Sequence, residues 1–162
     1  MGVKYNHFEY GQMIADKLKP IKGQYYKATE QLELLDLENR ISEAKDVILI
    51  AIDGQESEFT WPKSDSLIEN PQYIFLVLES TNSSDFLTVL EAQKECKALA
   101  KEIISKILQD ANAYAHGLQY VEESNFKIEG IGPVADNFYG VSLEISFKYG
   151  VSYFLNKDLW ED

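Results

Sequence analysis

The chain has 162 residues, 45 % hydrophobic and 26 % charged, with a formal charge of −12, enough for one compact core that buries roughly 70 % of the unfolded surface. Its 12 % aromatic share argues against a disordered chain. Net acidity and thinly spread Lys and Arg oppose sequence-specific nucleic-acid binding, no window approaches the ~18–20 apolar residues of a membrane span, and the start MGVKYNHFEY lacks the basic-then-apolar order of an export signal.

Phe8, Met13, Ile14 and Leu18 recur at helical spacing and predict a short amphipathic helix that Pro20 ends, followed by the polar aromatic stretch KGQYYKATEQ. Leu34, Leu35, Leu37, Ile41 and Ala44 predict a second short helix. Residues 47–52, VILIAI, are apolar throughout and read as a strand buried on both faces in the middle of a sheet. Asp53-Gly54 reads as a tight turn, and residues 58–61 (EFTW) as the returning strand, broken by Pro62 and KSDS. Pro71 opens the next strand, 72–79 (QYIFLVLE), another central one.

Ser83 or Ser84 is placed to cap the principal helix, with Asp85 complementing its dipole. Over residues 85–111, Phe86, Val89, Leu90, Cys96, Leu99, Ile103, Ile104 and Ile107 keep to one stripe, giving a helix roughly 40 Å long. Phe126 and Ile128 begin a strand that GIG bends, Asp136-Asn137 turns the chain, and NFYGVSLEISFKYG alternates cleanly. Val141, Leu143, Ile145, Phe147 and Tyr149 take the dry side; Ser142, Glu144, Ser146 and Lys148 take the wet one. The expected order is helix, three antiparallel strands, long helix, two antiparallel strands. That is one α+β domain over 1–162, a mostly antiparallel sheet of about five strands packed on one long helix, with short N-terminal helices. Residues 1–31 read as an N-terminal helix and arm, and 32–162 as the core.

Asp53, Glu79 and Asp110, each at the end of an element, form the one carboxylate set that could hold Mg²⁺ for phosphodiester cleavage. Turn and cap duty explains the same acids, and no lysine stands at the spacing such a nuclease uses. His7 and His116 have no second His or Cys at ligand spacing, so no zinc site is expected. Cys96 falls inside an apolar stripe, which suits a buried thiol better than a Cys96–His116 dyad. Gly130 to Gly132 lies between strand residues and is not a phosphate loop. No cofactor, metal or catalytic set is therefore expected. The aromatic residues outside the two most apolar strands, chiefly Trp61, Phe138, Tyr139, Tyr153 and Trp160, are candidate contact residues, and Phe154, Leu155 and Leu159 stand where they could pack back on the domain or on a neighbour.

The succession of VILIAIDG, EFTW, QYIFLVLE, the long helix and FKIEGIG…NFYGVSLEISFKYG resembles the tail-terminator and tail-completion (neck) proteins of phages and prophages, over about residues 34–160. The longer N-terminal segment departs from that group. The resemblance implies a noncatalytic structural subunit with no enzymatic residues to carry over. It implies a ring, commonly a hexamer, at the end of the tail tube, with itself and other tail or neck proteins as partners. It also implies a place in the bacterial cytoplasm during assembly and in the virion tail afterwards. An acidic channel would keep passing DNA from adhering. The alternatives are the metal-dependent nuclease or phosphoester hydrolase on Asp53, Glu79 and Asp110, and a plain protein-binding module.

Overall fold

Asn6 starts the first helix because its side chain accepts the Glu9 N–H (3.1 Å), satisfying one of the free donors of the first turn. The computed structural model describes residues 4–29, 33–63, 66–82 and 84–161. Helix α1 (His7–Lys17) is followed by strand β1 (Tyr25–Ala28), helix α2 (Glu33–Ile41), strands β2 (Val47–Thr60) and β3 (Leu67–Ser80), helix α3 (Phe86–Asn112), and strands β4 (Glu123–Val134) and β5 (Phe138–Val151). The sheet order is β1-β2-β3-β5-β4, with β1 parallel to β2 and every other pair antiparallel. This is the expected α+β class, one long helix on a five-stranded sheet.

Period-two alternation divides the core into two layers. Leu49, Phe75, Val77, Leu143, Ile145 and Phe147 face α1 and α3, where Tyr10, Ile14, Cys96, Ile103 and Ile107 meet them. On the other face Ile48, Ile50, Leu76, Leu78 and Phe138 pack with Leu37 and Ile41 of α2. VILIAI is buried on both faces, as its composition requires.

The five strands are not the expected five. Asp53-Gly54 makes no hairpin turn. Asp53 Oδ1 accepts the N–H of Gln55, which sits in the left-handed region, and three residues of β2 face Tyr73 alone as a bulge. The strands expected at 47–52 and 58–61 are thus one strand of 14 residues, Val47–Thr60, with Trp61 just beyond its end. The fifth strand comes from the polar aromatic stretch, where Tyr25 to Ala28 pair with Leu49 to Ile52. Within the N-terminal segment, Tyr10, Ile14, Ala15 and Ile21 belong to the main core.

Pro71 lies inside β3, not at its start. The β3–β5 register sets Phe147 across from it, and the Asn70 side-chain amide donates to the Phe147 carbonyl (3.2 Å), covering for the N–H that proline lacks. Asp85, not Ser84, caps α3, its Oδ1 accepting the Leu87 N–H (3.0 Å); Ser83 lies outside the described residues, as do the side chains of Leu34 and Leu35.

His7 is buried between the sheet and α1. Its Nε2–H donates to the Ile74 carbonyl (2.8 Å), which leaves Nδ1 to accept from the Tyr5 hydroxyl (2.7 Å). Burial holds its pKa at about 4, below the usual 6.5. Between those values the unfolded chain binds a proton that the folded one refuses, so stability falls as pH drops from about 6.5 to about 4. The full loss is about 3 kcal/mol. Urea midpoints from pH 7.5 to 4 should trace that decline, and His7→Gln should remove it; an unchanged slope would show that other groups carry it.

Candidate functional site

The three carboxylates proposed for metal chemistry stand in three separate settings. Asp110 is buried between α1 and α3, where Oδ2 accepts from the Tyr10 hydroxyl (2.8 Å) and Oδ1 from Lys106 Nζ (3.0 Å). Glu79 is paired across the ladder with Val47, whereas Asp53 lies six residues further along β2, roughly 20 Å away. The three carboxylates therefore do not converge, and no group of three or more His, Cys, Asp or Glu stands at metal-binding distance among the described residues. Cys96 is fully buried beneath α3, and burial, then Glu79 and Glu95, pushes its thiol up to about 12. His116, against the Tyr10 ring, lies past the end of α3, which puts about 24 Å of helix between it and Cys96.

Glu79 has one oxygen, Oε2, shut off from water with no hydrogen-bond partner among the described residues. Burial first, then the Glu95 carboxyl, raises its pKa to about 7. A folded value above the unfolded one favours the fold at low pH, and that contribution is lost as pH rises through about 7. Glu79→Gln should accordingly raise the melting temperature at pH 8 and leave it nearly unchanged at pH 5; equal shifts at both would refute the assignment.

Among the large apolar side chains that the fold leaves exposed, two groups stand at opposite ends of the sheet. At one end, Phe59 and Trp61 of the β2–β3 hairpin stand exposed, and Tyr153 approaches Trp61 (ring centroids 6.4 Å). Beyond β5, residues 152–161 run outward with Phe154 87 %, Leu159 78 %, Leu155 69 % and Trp160 67 % exposed. The hydrogen bonds of this segment are local, such as Phe154 N–H to Ser152 Oγ and Asp158 N–H to Asn156 Oδ1. At the other end, the first turns of α3 expose Phe86, Leu87 and Leu90. They follow within a few residues of Ser80, which pairs with Phe138, so they sit at the opposite end of β5 from Val151, roughly 40 Å along the strand.

Of the five candidate contact residues, Trp61 and Tyr153 meet at the first of these ends, and Trp160 is exposed on the segment that follows β5. Tyr139 is half-buried. Phe138 is corrected: it has no exposed surface and is core to the α2 layer, because β5 turns its first side chain inward. Phe86 and Leu90, expected in the core stripe, are exposed because α3 buries its stripe only from Ala92 onward.

A second feature had no signature in the pattern. On the face opposite α1 and α3, a concave groove of about 960 Å³ opens. Its floor includes Ile52, Ile74, Leu76, Ile131 and Val134, and Gln72, Asn125, Lys127 and Glu144 edge it. The two bulges of the sheet, between Ile52 and Glu56 and between Ile131 and Val134, flank it on either side, which accounts for the curvature.

No protein-family model matches the chain, and no curated protein shows significant similarity to it. Among the described residues, no helix is long and apolar enough to cross a membrane.

Proposed function

We propose that this chain is a noncatalytic structural subunit of a phage or prophage tail or neck assembly, joining copies of itself into a ring at the end of the tail tube. Such a subunit works in the bacterial cytoplasm during assembly and in the virion afterwards. The observation that carries the reading is the pair of exposed apolar groups at opposite ends of one sheet. A ring needs two different complementary surfaces per subunit, facing away from each other, so that each copy gives one and receives the other. Uncovered Phe, Tyr, Trp and Leu side chains at both ends meet that requirement, since clustered apolar surface of this kind marks contact with another protein. The charge of −12 fits a lumen along which DNA slides without sticking.

The expected result of light scattering over a concentration series is a mass several times 18.5 kDa, with closed rings in negative-stain images. A monomer at every concentration up to the millimolar range would sink the proposal. Flanking genes for a tail tube or capsid would separate the phage reading from self-assembly of another kind.

A further inference from the structure

We infer that the C-terminal arm of one copy, residues 152–161, lies along the outward face of α3 in the next. This rests on the assembly reading and names its joint: the apolar group at one end of the sheet meets the apolar group at the other.

The helix face has two parts. Leu87, Leu90, Lys94, Lys97 and Lys101 follow one another at three- and four-residue spacing, so they share one row of α3, with Phe86 beside its start. The two leucines are exposed. So are the three lysines, and among the described residues none of them is in an ion pair. Glu91, Glu95 and Glu102 stand about 60–100° round the helix from Lys94, all on the same flank. A chain with a formal charge of −12 thus presents here a short apolar patch followed by a row of three unpaired cations.

The arm repeats that order with the opposite sign. Exposed Phe154 and Leu155 come first, and the carboxylates Asp158 and Glu161 follow, with Leu159 and Trp160 between them. Laid in the same direction as α3, Phe154 and Leu155 cover Phe86, Leu87 and Leu90, while Asp158 and Glu161 face the lysine row. Lys157 then falls beside Glu91, and Leu159 and Trp160 rest on the lysine stems. The lengths agree. Leu90 to Lys101 is about 16 Å of helix, and Leu155 to Glu161, with one 3₁₀ turn at Lys157–Leu159, also spans about 16 Å.

The arm cannot make this contact within its own copy. Val151 stands roughly 40 Å along β5 from the end where α3 begins. Leu155 lies four residues past Val151, a reach of no more than about 14 Å, so the Leu87 and Leu90 that it meets belong to another chain.

The test reverses the charges on each side of the joint in turn. One full-length variant carries Lys94→Glu, Lys97→Glu and Lys101→Glu; a second carries Asp158→Lys and Glu161→Lys; a third carries all five substitutions. Every one of these side chains is exposed, so circular dichroism should be unchanged. In light scattering at low salt the first two should associate at least tenfold more weakly than the wild type, because each sets like charges face to face. The third restores opposite charges and should associate at least tenfold more tightly than either. Should the triple lysine variant fail to fold, Lys97→Glu with Lys101→Glu takes its place. A first or second variant that associates as the wild type does, or a third no tighter than those two, overturns the joint while leaving assembly standing. A wild-type chain that never associates overturns the assembly reading itself. In a Trp61→Phe background Trp160 is the sole tryptophan, and its emission should move to shorter wavelength as the chains associate; emission already shifted in the dilute monomer would seat the arm on its own chain and refute the exchange.

Discussion

Ile145→Asp should abolish the cooperative unfolding transition of this protein. Ile145 is 1 % exposed, in the layer between the sheet and the helices, with Tyr73 and Phe126 as its cross-strand partners. Removing the side chain forfeits about 2–5 kcal/mol of packing. Placing a carboxylate there with no cation to meet it adds several kcal/mol more, or forces the group to stay protonated. The sum is comparable to the whole stability of a domain, about 5–15 kcal/mol. Urea titration followed by circular dichroism should show no native baseline. Glu144→Lys, one residue away on the exposed side of β5, should change the unfolding free energy by no more than ~0.5 kcal/mol. A folded Ile145→Asp protein would mean that the strand faces are assigned wrongly.

Gly140→Ala should cost about 3–5 kcal/mol, an exceptional amount for one methyl group. Gly140 is paired with Leu78 in the β3–β5 ladder at the centre of the sheet. A Cβ there would collide with the Val77 carbonyl and press on the Leu78 Cα. Both obstacles are backbone, so no side chain can swing aside, and relief requires β5 to draw away from β3. Gly130→Ala is the control, because the atoms it approaches belong to the flexible Gln93 side chain (3.3 Å); it should cost less than about 1 kcal/mol. Equal losses at the two positions would show that the penalty is conformational and not steric.

Much of the fold was legible because its strongest signals are periodic. VILIAI, QYIFLVLE and the alternation of residues 141–149 specify strands and their buried faces, and the stripe of residues 85–111 specifies α3 to within a residue of its observed ends. The errors fall where a local signal has two tertiary outcomes. Asp-Gly serves a hairpin turn or a bulge equally well, and the pairing of Glu56 to Thr60 with Ile68 to Gln72 selects the bulge. Tyr25 to Ala28 carry too short a pattern to announce a strand; they become one because β2 offers a free edge beside them. Phe86 and Phe138 are equally apolar in sequence, yet one is 73 % exposed and the other fully buried. Hydrophobicity states what a side chain prefers, and the reach of the sheet states whether anything is there to cover it.

The order of apolar and polar residues, by itself, determined an α+β core, its two dry faces and its long helix, because burial of alternating and 3.6-period patterns admits few other solutions. It also showed the apolar content of residues 153–160. Tertiary structure alone decided that Asp53, Glu79 and Asp110 lie apart, that the exposed apolar residues stand at opposite ends, and that two bulges curve the sheet into a groove. Those are relations between residues distant in the chain, set by strand register and by where each element runs out, and no local spacing encodes them.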